Sequence, residues 1–277
     1  MHRLLLAVIV VTASADRASD REALLAADRA LSGKTASLGV LQGFAPALLD
    51  GAAYLYPGAP LLRGAGHIRT FLQGNDSVPT LRWSPAFADV SIDGQLGYTY
   101  GWTRSGATRG KYLACWRKTD GRWRIAAYAM NRPLPVTDSV TPAMRTGGLS
   151  APARGRADPG ELMRADSAFA ALSRAQGAKA AFLAFAAEEA MSFGGGTQFS
   201  EGREAIGAGF DGFPVGAVLS WWPLGAEIAQ SGDLGCTIGE ATIESLHHYS
   251  KYLTVWKRQQ DGSWKFVADG GNVRPKP

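Results

Sequence analysis

Leu81-Arg82-Trp83-Ser84-Pro85 and Leu219-Ser220-Trp221-Trp222-Pro223 decide the fold, because the second stretch is the first read again 138 positions later (83 to 221). The same offset takes Ala27-Asp28 to Ala165-Asp166, Phe44 to Phe182, Gly64 to Gly202 and Ile68 to Ile206. It takes Gly94-Gln95-Leu96-Gly97 to Gly232-Asp233-Leu234-Gly235, and Gly101 to Gly239. Later the offset grows to 140 (Lys111-Tyr112-Leu113 and Lys251-Tyr252-Leu253), then to 141 (Asn131 and Asn272). Both additions fall where strands would turn, and turns tolerate insertions. The 277 residues therefore carry two copies of one domain, over 16–132 and 160–277. Each copy is of a common domain size. Between them, 133–159 holds five prolines (133, 135, 142, 152, 159) and reads as an extended linker with no core of its own.

Hydrophobic residues make up 46% and charged residues 19%, an ordinary balance for a soluble globular protein. The copies differ in charge. Residues 16–132 hold 15 Lys+Arg against 9 Asp+Glu (+6), whereas 160–277 hold 10 against 13 (−3). That split favours docking of one copy on the other, or different ligands in the two. The basic residues are scattered without a run of four, so nucleic-acid binding is not expected. Cys115 and Cys236 fall at non-equivalent positions of the two copies, which reads first as two buried free thiols and second as a Cys115–Cys236 bridge, since pairing demands a specific close geometry. Met1-His2-Arg3, the apolar run Leu4 to Val11 and Ala13-Ser14-Ala15 form a basic start, a short apolar core and an A-x-A site. Residues 1–15 are thus expected to be a secretory signal, leaving an exported, periplasmic or secreted chain with no membrane segment after cleavage; the second reading, for a segment this short, is a buried first helix. Eight apolar residues are too few to span a bilayer.

Each copy opens with helical pattern, Asp20 to Leu31 and Glu161 to Leu172, then a second helical stretch, Leu38 to Leu49 and Ala178 to Ala190. The remainder is strand-like. In Leu96 to Trp102, Tyr98, Tyr100 and Trp102 share one face. Thr119-Asp120-Gly121 and Gln260-Asp261-Gly262 are hairpin turn signals between the last two strands of each copy. Helices followed by a meander give an α+β domain, and a strongly bent sheet around the helices leaves a cone.

The order of motifs over 160–272 is Phe185-Ala186-Ala187-Glu188-Glu189-Ala190-Met191, a Gly-rich turn, then Glu201-Gly202-Arg203-Glu204-Ala205-Ile206. After these come Leu219-Ser220-Trp221-Trp222-Pro223, Gly232-Asp233-Leu234-Gly235 and the stretch Lys251 to Asn272. This order resembles the nuclear-transport-factor-2-like superfamily, in its branch of SnoaL-like, ketosteroid-isomerase-like domains of unassigned function. Residues 20–132 resemble it more loosely but collinearly. The resemblance implies two tandem cone-shaped domains, each with N-terminal helices in a curved, mainly antiparallel sheet and an apolar pocket at the open end. It also implies that such domains pair through the outer faces of their sheets, here as a pseudo-dimer. The isomerase branch places its base a few residues past an acidic pair. Glu188-Glu189 matches that pair and puts the base position near Gly194, with Tyr56 in the first copy, so the isomerase mechanism does not carry over.

The remaining candidates are single residues. Asp28 and Asp166 are the one acid kept on both first helices; they line the pocket, or sit on the helix surface or against a strand's backbone, the reading we favour. Trp83 and Trp221 read first as core rings and second as ligand platforms, and Tyr112 and Tyr252 as cavity hydroxyls or sheet-face residues. Asp269 has no acid counterpart, since Tyr128 replaces it. Beside Phe266-Val267 it is either a carboxyl with raised pKa or a turn aspartate. His247-His248 would face opposite ways on a strand, and no H-x-H, C-x-x-C or H-E-x-x-H arrangement is present, so no metal is expected. No cofactor is expected either: Gly194-Gly195-Gly196 lacks the lysine and helix of a phosphate loop, and no G-x-S-x-G frames a serine. The ligand-binding set is then Trp221, Tyr252, Asp269 and Glu240 in the second copy, with Trp83 and Tyr112 in the first. The second copy is expected to be the more capable. Tyr56, Tyr98, Tyr100 and Trp102 stand where it has Gly194, Cys236, Ile238 and Glu240, and would shrink the first cone. Three functions fit. One is a protein binding a small apolar molecule. Another is a lyase, isomerase or hydrolase using Asp269, Tyr252 and Asp166 in acid–base chemistry. The last is a scaffold with filled pockets.

Overall fold

A computed structural model describes residues 2–74, 81–136 and 152–277, with side chains from Arg17 onward. The first unit runs α1 (His2–Gly39), a π-helical turn (Val40–Phe44), a 3-10 turn (Ala45–Ala47), β1 (Leu48–Leu55), β2 (Leu62–Arg63), α2 (Ala65–Gly74), β3 (Arg82–Val90), β4 (Leu96–Ser105), β5 (Thr108–Thr119) and β6 (Arg122–Met130). The short β7 (Leu134–Pro135) pairs with β5. The second unit runs α3 (Pro159–Gln176), α4 (Ala178–Phe185), β8 (Ala186–Ser192), β9 (Ser200–Glu201), α5 (Arg203–Ala208), β10 (Ser220–Ile228), β11 (Leu234–Ile243), β12 (His248–Arg258) and β13 (Trp264–Val273). Both are mixed α+β units with one topology, since β2-β1-β6-β5-β4-β3 matches β9-β8-β13-β12-β11-β10. Among the described residues only β1–β6 and β13–β8 are parallel pairs, so the sheets are mainly antiparallel.

The repeated motifs do the same physical work twice. Pro85 and Pro223 lie on the edge strands β3 and β10, where a residue without an N–H is tolerated, and each sits at a register shift. Gly101 and Gly239 oppose them across the sheet. A Cβ on either would strike the edge-strand backbone at Ser84 or Trp222. On the helices, Leu24 and Leu162 press against Gly97 and Gly235, so the helix lies close over the sheet. Asp120 and Gly121 take φ of 50° and 70°, the left-handed pair a tight hairpin needs.

The second helical stretch is shorter than its composition predicts. In the first unit, Gly39 (φ 78°) ends α1, and short π and 3-10 turns around Pro46 lead into β1. In the second, α4 stops at Phe185, and Ala186–Ser192 is a strand in parallel register with β13. Sheet pairing overrides the helix propensity of alanine and glutamate there, and Glu188-Glu189 sits on that strand rather than at a helix end. The linker is bonded at its described ends. The Ala153 amide donates to Arg258 O at 3.1 Å and the Gly155 amide to Ser231 O at 3.0 Å, while 137–151 lie outside the described residues. Residues 2–15 form part of α1, but their side chains lie outside the described ones. No helix among the described residues is long and apolar enough to cross a membrane.

The outer sheet faces of the two units meet with two-fold logic. Arg117 pairs Glu227 at 2.5 Å, and their counterparts in the other copies, Lys257 and Asp89, pair at 3.2 Å. Arg17 bonds the same Asp89 at 2.7 Å, so this buried carboxylate has two cations. The Ser231 amide donates to Asp93 at 2.8 Å and the Ile92 amide to Asp233 at 3.0 Å, again one from each side. Lys111 and Lys251 are buried, Lys111 at this seam and Lys251 beside the second unit's cavity, which it also lines. Lys111 Nζ donates to Phe193 O and, at 2.7 Å, to Gln198 O; Lys251 Nζ donates to Val273 O at 2.9 Å. Burial lowers both ammonium pKa values to about 8. Between these polar contacts Phe87, Tyr98, Tyr100 and Leu113 share one buried cluster with Ile238, Leu253 and Val255.

Two readings of the sequence are corrected here. Tyr98 and Tyr100 do not narrow the first cone: they lie on the outer face, with Phe87 stacked on Tyr100 and Phe199 of the other unit edge-on to it. Trp102 likewise meets Phe199 and donates to Thr197 O. Cys115 and Cys236 are not free thiols but a disulfide linking the units, with Cα atoms 6.7 Å apart and 121 residues between them. Their non-equivalence follows from the seam, because the bond lies off the pseudo-two-fold axis. A Cys115→Ser/Cys236→Ser variant is expected to lose ~2–4 kcal/mol of stability in chemical denaturation. Alkylation of denatured, unreduced protein should label no cysteine.

Candidate functional site

In each unit a carboxylate lies in the middle of the helix face that packs on the sheet. On α3 that face is Leu162, Asp166, Phe169, Ala170 and Ser173. Asp28 and Asp166 are buried and are neither helix-surface acids nor bonded to a strand's backbone. Trp83 Nε1 and Tyr112 Oη donate to Asp28 at 2.6 and 2.5 Å. Trp221 Nε1 and Tyr252 Oη donate to Asp166 at 2.8 and 2.9 Å. A threonine bonded by a tryptophan stands behind each: Trp116 Nε1 to Thr99 Oγ1 and Trp256 Nε1 to Thr237 Oγ1, both at 2.9 Å. Burial raises the pKa of both aspartates, and the donated hydrogen bonds work against that rise. Burial next to the carboxylates holds both tyrosine pKa values well above the usual phenol range, so their protons stay with oxygen.

The second cone is open. Its cavity of about 320 Å³ has Phe169, Phe182, Leu219 and Trp221 as apolar wall, with Tyr252, Thr254 and Asp269 as its inner polar groups. Asp269 is a strand residue directly across from Thr254, whose hydroxyl donates to it at 2.6 Å; it is not a turn aspartate. Burial raises its pKa to about 6; the Thr254 bond works against the rise and nearby Asp166 adds to it. Because the Tyr252 hydroxyl already donates to Asp166, Asp269 is the inner group placed to exchange a proton near neutral pH. Exposed His248 also lines the cavity. Glu240 does not. It lies across from Lys251 on the outer face and pairs with Arg274 at 3.2 Å.

The first cone is filled at the corresponding depth. Tyr128 takes the place of Asp269, stacked on Tyr112 at 5.6 Å and edge-on to Phe44 at 5.1 Å. Trp83 and Tyr112 are buried in that cluster and line no described cavity. Nearer the open end is a separate cavity of about 490 Å³ walled by Val40, Tyr54, Tyr56, Phe71 and Met130. By volume the first cavity is therefore the larger, against the expected ranking. Its deep end is closed by Tyr128 and not by the outer-face tyrosines.

The chain is similar to nuclear-transport-factor-2-like proteins. Solved structures similar to it include a nuclear-transport-factor-2-like protein of unknown function from Pseudomonas putida KT2440, at 15% identity over 41% of this chain and 84% of that one, with a TM-score of 0.35. A ketosteroid isomerase-like protein from Erwinia carotovora atroseptica SCRI1043 matches at 16% identity over 43% of this chain and 96% of that one, TM-score 0.35. A nuclear-transport-factor-2-like protein with a cystatin-like fold from Novosphingobium aromaticivorans matches at 17% identity over 41% and 80%, TM-score 0.31. No protein-family model and no curated protein matches the chain.

Sequence reasoning missed Phe169, Phe182 and Thr254. Phe182 was visible as the repeat of Phe44. Thr254 becomes apparent only from the strand register that sets it opposite Asp269.

The Asp269 shift has a signed consequence. A folded-state pKa raised from 3.8 to about 6 means that the folded protein holds the proton longer than the unfolded chain. Stability therefore falls as pH rises across that window. Asp269→Asn removes this loss. Denaturant melts at pH 4 and pH 7.5 should show the wild type falling more than the variant, by roughly 1–2 kcal/mol once solvent screening at the open cavity is allowed for.

Proposed function

We propose that the protein is exported and binds a small apolar molecule in the cone of the second unit, with Asp269 receiving the one polar group of that molecule. The observation that carries this reading is the cavity itself, an apolar wall of phenylalanine and tryptophan with a carboxyl at depth. Its volume of about 320 Å³ falls within the ~300–1,000 Å³ of small-ligand pockets. Trp221 and Tyr252 are fixed by Asp166 before any ligand arrives, so little ordering cost falls on binding. The two units act as a pseudo-dimer that stays docked in solution, held by the disulfide and the apolar seam. The disulfide supports export, since disulfides persist in oxidising compartments.

One observation favours a second reading. A carboxyl with a pKa of about 6 beside a hydrogen-bonded tyrosine is suited to acid–base chemistry of lyase, isomerase or hydrolase type. Asp269 would carry the proton, Tyr252 would donate a hydrogen bond and Asp166 would orient Tyr252.

One sample tests the binding reading. Protein purified from its own host without organic solvent should begin at Asp16 by N-terminal sequencing. It should carry a small-molecule adduct in native mass spectrometry. Ala241→Phe, which adds a ring facing Trp221 across the strand pair, should lose the adduct while melting cooperatively. An adduct retained unchanged in that variant, or none in the wild type, contradicts the binding reading; a chain beginning at Met1 contradicts export.

A further inference from the structure

The two cones differ in charge at matching places. Where the second cone has Asp269, the first has Tyr128; where the second has Val273 in its wall, the first has Arg132. Among the described residues Arg132 is the only charged one lining the 490 Å³ cavity of the first unit. Among the described residues no acid pairs with it. It is exposed, so its guanidinium stands where the apolar cavity meets water. Ser105 and Thr108 lie in the same wall and carry hydroxyls. The rest of the wall is aromatic and aliphatic: Tyr54, Tyr56, Phe71 and Met130.

We infer that the first unit holds a second binding site, for an amphiphile with a single anionic head. The tail occupies the apolar cavity and the head meets Arg132 at its edge. A guanidinium matches a carboxylate with two parallel donors, and the bond is charge-assisted on both sides. The geometry disfavours the opposite arrangement, because among the described residues a buried head would meet the phenol of Tyr54 and no cation. The field of the unit points the same way: residues 16–132 carry +6, against −3 for 160–277, so an anion is steered toward the first unit.

Calorimetric titration with decanoate, decanol and decyltrimethylammonium tests this. The titrations use the intact protein and its Ala241→Phe variant, in which the second cone is filled. Decanoate should bind both proteins, and more tightly than either chain-matched competitor. Arg132→Gln should weaken decanoate by about tenfold and leave decanol unchanged, with Arg132→Lys falling between. Equal affinity of Arg132→Gln and wild type for decanoate overturns the assignment of the head group. Failure of decanoate to bind the Ala241→Phe protein, with Ala241→Phe melting as cooperatively as wild type, overturns the site.

Discussion

Each unit is organised around a carboxylate taken out of water. An ionised group buried without partners costs several kcal/mol, and the chain meets that cost the same way twice. Asp28 and Asp166 project from a helix into the cone, and an indole and a phenol from two different strands converge on each. The contact ties the first helix to β3 and β5 in one unit, and to β10 and β12 in the other. It also fixes the rotamers of Trp221 and Tyr252, which are walls of the second cavity. A group that first looks like a catalytic candidate is therefore a positioning residue, and the wall it positions is what a ligand would touch.

On that shared frame the two copies have diverged by few side chains. Tyr128 fills the depth of one cone with stacked rings; Asp269 leaves the other open and places an acid in it. The outer faces have diverged less in role than in identity. Arg117–Glu227 and Lys257–Asp89 are the same contact written with different residues, as an isologous interface requires. The disulfide breaks that symmetry and adds a covalent tie across an interface whose larger part is apolar.

The repeat made the fold class, the two units and most strand positions legible. A motif seen twice at one offset identifies Trp83, Gly101 and Tyr112 as positions with a job before any contact is known. It does not tell which positions meet. Asp28 and Trp83 are 55 residues apart and touch only because the helix crosses the sheet at that point. The alternation of Tyr98, Tyr100 and Trp102 was plain, but which face is concave depends on sheet curvature, a property of all the strands together. Ala186 to Ala190 reads as helix from composition, yet β13 offers a parallel edge, and pairing outweighs propensity. Cys115 and Cys236 looked unrelated because the eye compares equivalent positions, whereas docked faces bring non-equivalent ones together.

The central claim is that the depth of the second cone is open apolar space while that of the first is packed. A crystal structure under xenon pressure tests it directly, since xenon enters apolar cavities that side chains leave unfilled. The account predicts xenon beside Phe169, Phe182 and Trp221, and none among Phe44, Tyr112 and Tyr128. Xenon within the first cluster, or a second cone closed by its own side chains, would contradict it.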